Sequence, residues 1–192
     1  MENTTPVQAD LTPQENEYEE IAWGLKSGDA KFEAIKIPRG KPGDMDVKIE
    51  LLYCGVCHSD VHWGRNELGF PVSWPFVGGH ELLGKVVEVG SKVTKVKVGD
   101  HAAVGCMVDS CLDCKFCKKD EENYCMNGLT ATYNGQRKHG RVPGNKDLQT
   151  FGGYSGSQVT HEKFVIKVPD NMDMARASPI LCAGVTMWDP LR

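Results

Sequence analysis

Gly79-His80-Glu81-Leu82-Leu83-Gly84-Lys85-Val86-Val87-Glu88-Val89-Gly90 is the stretch whose reading decides the fold. Its second half, a valine-rich run between two glycines, reads as a β-strand. Moving toward the C-terminus, Val98-Gly99-Asp100 makes a turn, and His101-Ala102-Ala103-Val104 is a further strand. Toward the N-terminus, Asp46-Val47-Lys48-Ile49-Glu50-Leu51 alternates polar and apolar residues, as a half-buried strand does. Before it, Arg39-Gly40-Lys41-Pro42-Gly43-Asp44 is a turn cluster, and residues 21–25 and 32–37 are short strands split by Ser27-Gly28-Asp29. A short helix is expected over residues 59–65, with Ser59 as its N-cap. Residues 127–150, rich in Gly, Asn, Lys and Gln, read as a long loop. Gly152-Gly153-Tyr154 then opens a strand pair, roughly 155–160 and 164–168, closed by Pro169-Asp170. Helical spacing over 175–191 is broken at Pro179 and Pro190. Many short strands with glycine-rich turns predict a mainly β, barrel-like core with a few short helices. Residues 1–17, polar and without apolar periodicity, are expected to be a flexible tail ahead of one folded unit over 18–192.

Composition narrows the function. The chain has 192 residues, 40% hydrophobic content and a formal charge of -4, enough for a packed core and of the wrong sign for a nucleic-acid surface. Lys92, Lys95 and Lys97 read as a solvated strand face rather than a binding patch. The N-terminal stretch has no apolar core and so is not a signal peptide, and no apolar run reaches membrane-spanning length. The expected setting is therefore cytoplasmic, where the 8 cysteines are metal-bound or free rather than paired.

Four of those cysteines stand together: Cys111, Cys114, Cys117 and Cys125, at spacings of three, three and eight, in a lobe over 106–126. Four thiolates at this spacing suit one tetrahedral zinc ion. Two disulfides are the alternative, disfavoured by the lack of any secretory feature. An iron–sulfur cluster is a second, but its usual cysteine run and trailing proline are missing. A four-thiolate site has no vacant ligand position, so its role is structural.

A second group, Cys57, His80, Glu81 and Cys182, is scattered along the chain. Two thiolates and one imidazole leave a tetrahedral position open, as a catalytic zinc requires. Spacing alone does not justify the assignment. Taken alone, Cys182 on an apolar helix is more often a buried core thiol, and a lone His80 more often a hydrogen-bonded core histidine.

Gly79-His80-Glu81 followed by Gly84, Gly90 and Val93 resembles a motif of the zinc-containing medium-chain alcohol dehydrogenases. Cys57-His58-Ser59-Asp60-Val61-His62, the four-cysteine lobe, Gly152-Gly153-Tyr154 and Leu181-Cys182-Ala183-Gly184 recur in that family in the same order. The combination is most similar to the cinnamyl-alcohol-dehydrogenase-like, NADP-dependent branch. This resemblance implies a GroES-like barrel in which Cys57, His80 and Cys182 hold a catalytic zinc, with Glu81 beside it as an outer or transient ligand. It implies that Asp60 fixes the ligand histidine. It also implies hydride transfer between NADP(H) and a primary alcohol or aldehyde. Ser59 would take or give the substrate proton and His62, one helical turn on, would pass it to solvent. His58 would face cofactor phosphates, an exposed histidine being the alternative. Trp63, Leu68, Phe70 and Cys106 are candidates for an apolar substrate wall, with core packing as the alternative. Cys54 is expected to be a small buried residue without a metal.

The family's whole chain includes a Rossmann domain with a phosphate-binding glycine loop, and no Gly-x-Gly-x-x-Gly occurs in these residues. The chain alone is therefore expected to have negligible dehydrogenase activity. One tight structural zinc and one weaker, chelator-sensitive zinc are expected. The expected partners are the small alcohol or aldehyde, and a cofactor-domain partner or a second copy of the chain. A non-enzymatic zinc-binding module, or an enzyme completed by a separate chain, is the alternative function.

Overall fold

The computed structural model describes residues 7–8, 11–13, 15–136 and 149–192. In chain order the elements are β1 (Val7–Gln8), β2 (Glu17–Gly24), β3 (Glu33–Gly40), β4 (Asp46–Cys54) and α1 (His58–Gly64). There follow β5 (Ser73–Trp74), β6 (Leu82–Val89), β7 (His101–Val104), β8 (Met107–Asp109) and β9 (Thr130–Ala131). The last are β10 (Ser157–His161), β11 (Ile166–Lys167), α2 (Met174–Ala177) and α3 (Ala183–Leu191).

The central sheet runs in the order β10-β4-β6-β7-β11. The expected strand pair after Tyr154 is therefore corrected. Its members β10 and β11 do not pair with each other but occupy opposite edges of the sheet, on β4 and β7 respectively. A single three-residue 3-10 turn, Glu162–Phe164, joins them, with the His161 side chain accepting from Lys163 N. The edges of a flat sheet of this width would stand about 19 Å apart. A 3-10 turn rises only about 2 Å per residue and cannot bridge that gap. The sheet is therefore curled toward a barrel. Its interior is filled by Val47, Ile49, Leu82, Val86, Ala102 and Val104, inward residues of its strands, with Val108 and Val165 from outside the sheet.

Other expectations shift at their edges. The tail expected over 1–17 is shorter: Val7–Gln8 pairs in parallel with Ser73–Trp74, Leu11 packs beside Ile35 and Ile37, and Glu17 already belongs to β2. Arg39 and Gly40 lie in β3 rather than in a turn. The helix begins one residue early, with Cys57 rather than Ser59 at its N-cap. Asp60 supplies the reason, because its carboxylate reaches back to accept from Cys57 N at 2.9 Å, one half of a capping box. Of the loop expected over 127–150, Thr130–Ala131 pairs with Met107–Asp109, and 137–148 lie outside the described residues. The C-terminal helical stretch is split into α2, a 3-10 turn over Ser178–Leu181 and α3, with Pro179 in the first turn of the 3-10 segment.

Candidate metal centres

Three separate elements converge on one point. Cys57 sits at the N-cap of α1, His80 and Glu81 immediately precede β6, and Cys182 lies between the 3-10 turn and α3. One ligand atom from each of these four residues lies within 4.8 Å of the others. Cys57 Sγ and Cys182 Sγ are 3.8 Å apart. Two sulfurs bound to one tetrahedral zinc at about 2.3 Å stand about 3.8 Å apart, far beyond the roughly 2.0 Å of a disulfide.

Backbone contacts hold the three elements together. Gly55 N donates to Glu81 O at 3.0 Å and to Ser178 Oγ at 2.8 Å, and the Ser178 hydroxyl donates to Glu81 O. Buried Ser178 thus pins the Cys182 turn to the Cys57 loop and the His80-Glu81 segment at once. Position 55 has to be glycine, because a Cβ there would lie 1.9 Å from Glu81 Oε2.

The electrostatics favour a cation. Glu81 is 1% exposed and its Oε2 has no hydrogen-bond partner among the described residues. An unpaired buried carboxylate oxygen beside two thiols is expensive unless positive charge is supplied. Burial works to raise the Cys57 thiol, but donors from Ser59, Cys182 and His80 outweigh it and leave it below the ordinary value. Burial and the neighbouring Cys57 push Cys182 up to about 12. Two thiols this close resist a second negative charge unless an ion lies between them.

Asp60 lies directly behind the site. Its Oδ1 accepts from Gly79 N at 2.9 Å and stands 3.3 Å from His80 Nδ1, close enough for attraction though off the hydrogen-bond line. Its Oδ2 accepts from Cys57 N and, at 2.8 Å, from the Tyr154 hydroxyl. Burial opposes its charge, yet His80, the two backbone donors and Tyr154 hold the carboxyl below its usual range. Burial lowers His80, but Asp60 more than offsets this, so the imidazole lies above its ordinary value.

The remaining predicted residues divide between two faces of α1. Ser59, His62 and Trp63 share one face, at helical spacing. Ser59 Oγ is 3.5 Å from Cys57 Sγ. His62 instead bonds Glu67 Oε2 at 2.8 Å and lies 4.6 Å from the exposed His58 with the rings tilted at 60°, and no hydrogen bond joins it to Ser59 among the described residues. Trp63 stacks on Phe70 at 6.1 Å and meets Tyr133 edge-on at 6.5 Å, and Tyr133 lies 5.3 Å from the His80 ring. Leu68 is exposed in the bend after α1, and Cys106 is exposed with its carbonyl accepting from Thr132 N. The opposite face of α1, through Asp60, Val61 and Gly64, lines an apolar cavity of about 570 Å³ with Leu25, Phe32 and Tyr154, and none of the four expected wall residues belongs to it. Cys54 is half-buried with its thiol pushed up to about 12 by burial, so it is chemically quiet.

Sequence reasoning missed Tyr133, Tyr154 as a partner of Asp60, and Ser178. The one signal available was that Tyr154 is the last residue of the quoted Gly152-Gly153-Tyr154 and Ser178 stands three residues before Leu181-Cys182-Ala183-Gly184.

The four-cysteine lobe forms a second centre. Ligand atoms of Cys111, Cys114, Cys117 and Cys125 lie within 4.8 Å of one another. Cys117 Sγ is 3.8 Å from Cys111 Sγ and 3.5 Å from Cys114 Sγ, again the edge length of a sulfur tetrahedron. Among the described residues the lobe's own buried cluster is these cysteines, while its Val108 packs into the barrel interior. Lys163 ties it to the barrel through Asp120 and through Glu122 Oε1 at 2.8 Å.

A sequence model of the alcohol dehydrogenase GroES-like domain matches residues 43–170. The chain belongs to that family. An 8-hydroxygeraniol dehydrogenase from Catharanthus roseus is 43% identical over 178 residues, 93% of this chain and 47% of that protein. A cinnamyl alcohol dehydrogenase from Rauvolfia serpentina matches at 43% over 178 residues, with the same coverage. Among solved structures, a cinnamyl alcohol dehydrogenase from Sorghum bicolor superposes with a TM-score of 0.82 at 38% identity, covering 91% of this chain and 47% of that one. One from Helicobacter pylori, complexed with NADP(H), gives 0.82 at 35% identity over 91% of this chain and 48% of that one. The chain thus spans about half the length of the curated relatives it matches. No helix among the described residues is long and apolar enough to cross a membrane.

Proposed function

We propose that this GroES-like chain supplies the zinc-binding, substrate-side half of an NADP-linked alcohol dehydrogenase or aldehyde reductase. The observation that carries the reading is the convergence of Cys57, His80, Glu81 and Cys182 from three elements onto one point. The donor set fits zinc: two thiolates, an imidazole and an open fourth position. A zinc ion held by Cys57, His80 and Cys182 supplies Lewis acidity toward a substrate carbonyl or alcohol oxygen, and the nicotinamide supplies the hydride. The four-cysteine group takes a second zinc as a brace.

The chain's own residues do the rest. Asp60 orients the His80 imidazole and leaves Nε2 as the nitrogen for the ion. Ser59, beside Cys57, is placed to exchange a proton with the substrate oxygen. His62, on the same helix face but held by Glu67, receives that proton through a bridging hydroxyl or water. Trp63 and Phe70, with Tyr133, Leu68 and Cys106, give an apolar wall that favours an alcohol or aldehyde with a hydrophobic body. His58, exposed beside His62, would face a cofactor phosphate, a plain surface histidine being the alternative. The cofactor-binding half docks on exposed apolar residues near the site, among them Val56, Ile180, Val185 and Trp188. Holding the nicotinamide against the substrate is worth several kcal/mol, so these residues alone are expected to be inactive in a cytosolic, reducing setting.

The test joins this chain to the second half of the Sorghum bicolor relative. The chimera should oxidise NADPH with cinnamaldehyde, and Cys57→Ser should abolish it, while the chain alone shows neither. A folded chimera holding both zinc ions but lacking aldehyde-dependent turnover would defeat the reading.

A further inference from the structure

We propose that Tyr154 is a positioning residue of the metal centre: its hydroxyl holds Asp60 so that Asp60 holds the His80 imidazole. The inference rests on reading Cys57, His80 and Cys182 as ligands of one ion.

Asp60 is tethered at both oxygens to the segments that carry the ligands. Oδ2 accepts from Cys57 N and Oδ1 from Gly79 N, next to His80. Tyr154 adds a side-chain hydroxyl on Oδ2 at 2.8 Å, and the Tyr133 hydroxyl also interacts with this carboxylate. Without the Tyr154 hydroxyl, the carboxylate keeps its two backbone donors but loses the group that fixes Oδ2 from the Tyr154 side, and it is held less firmly against the imidazole.

The phenol itself is fixed. Gly152 N, Gly153 N and Tyr154 N donate in succession to Val77 O, Gly79 O and Gly78 O, at 2.9, 2.9 and 3.1 Å, and Trp23 N donates to Tyr154 O at 2.7 Å. The ring lies across two glycines. A Cβ at Gly78 would come within 3.1 Å of it, and one at Gly79 within 2.9 Å. Gly79 has a φ of 93°, which also favours glycine. Phe32 closes the far side edge-on, with ring centroids 6.2 Å apart. Backbone zipper, glycine floor and aromatic wall hold the ring with its hydroxyl on Asp60.

Asp60 and Tyr154 both line the cavity of about 570 Å³. Removing the hydroxyl would let water from that cavity compete for Oδ2. Outer partners of metal-binding histidines typically account for about 10- to 100-fold in metal affinity. Tyr154 acts one bond further out, so an effect of about 3- to 10-fold is expected.

The experiment follows zinc release from the full chain to a chromophoric chelator for wild type, Tyr154→Phe, Asp60→Asn and the double variant. The four-cysteine site serves as an internal reference, and circular dichroism reports folding. Tyr154→Phe should speed release from the Cys57–His80–Cys182 site about 3- to 10-fold and leave the reference phase unchanged. It should add nothing on the Asp60→Asn background. With cobalt in place of zinc, Tyr154→Phe should shift the visible band of this site, while Asp60→Asn and the double variant give the same spectrum. Equal release rates, equal acceleration at both sites, an undiminished effect on the Asp60→Asn background, or loss of fold in Tyr154→Phe would each overturn the proposal. Wild-type chain that holds only the four-cysteine ion would overturn the metal reading as well, which sets that failure apart.

Discussion

Cys57 Sγ and Cys182 Sγ lie 3.8 Å apart across 125 positions of the chain. The two thiols reach each other from unlike supports. Cys57 is the N-cap of a helix whose first turn is tied by Asp60, whereas Cys182 precedes α3, which has no buried residue. Ser178 is the anchor between them.

The unequal supports set the order of metal loss. The Cys182 side of the site can open by local unfolding, since α3 buries no residue, while Cys111, Cys117 and Cys125 are buried. Brief chelation should therefore remove one zinc quickly and the other slowly, and Cys182→Ser should abolish the fast phase alone. Metal analysis by mass spectrometry reads both. Two ions lost at one rate would contradict the argument.

Gly55 is under a steric constraint that bears on the same site. A Cβ there would stand 1.9 Å from Glu81 Oε2 and 3.0 Å from Glu81 Cβ. Glu81 is buried, so it cannot swing clear without disturbing His80. Gly55→Ala should cost about 1–3 kcal/mol of stability and displace the first zinc, leaving the four-cysteine ion in place. A variant that melts with wild type and keeps both ions would show that the loop relaxes.

The two candidate metal centres differ in how much of them the chain order reveals. The cysteine lobe is legible because its ligands are neighbours and the local backbone alone can wrap an ion. Cys57, His80 and Cys182 become a set only through motifs shared with a family, since nothing near Cys182 distinguishes a ligand from a core thiol. The strands were visible as alternating or valine-rich runs. Their partners were not, because β10 and β11 are neighbours in sequence and opposite edges in the sheet. Arg39 was read as part of a turn, having Gly40, Lys41 and Pro42 beside it. Its burial depends on acceptors more than a hundred positions away. Ser178 was hidden for a like reason: next to Pro179 it looks like the end of a helix, and its partners Gly55 and Glu81 come from far upstream.

Acid should loosen the lobe with a definite slope. Thiolates bind the ion, so protons compete and affinity falls as pH falls. Backbone donors from Cys117 and Met126 hold Cys114 at about 6. Above that value Cys114 has no proton to release. Below it one more proton must leave on binding, and the slope of log affinity against pH should steepen by about one unit. Cobalt or zinc titrations between pH 5 and pH 8, in the Cys182→Ser variant to isolate the lobe, measure this. A single slope through the whole range would rule out an early-ionising Cys114.

Arg39 offers the strongest single test of what holds the site's frame. It is 4% exposed and donates to Glu20 Oε2, Phe151 O, Gln158 Oε1, Gly152 O and Ser155 Oγ, at 2.7–3.2 Å. The planar fork thus fastens β3 to the segment 151–158, which carries Tyr154. Arg39→Ala would leave a nearly buried carboxylate and two carbonyls without their cation, a loss of about 3 kcal/mol by analogy with other broken buried pairs. Arg39→Lys keeps the charge but cannot fork, and should recover less than half of that. Urea unfolding of the zinc-loaded chain should show a lowered midpoint with an unchanged slope. Zinc release from the Cys57–His80–Cys182 site should quicken in step, because the Tyr154 segment loses its clamp while the lobe does not. A midpoint within error of wild type would mean that the hydrogen bonds to Arg39 are replaced by water at no cost. Lowered stability with unchanged zinc release would separate the frame from the metal centre.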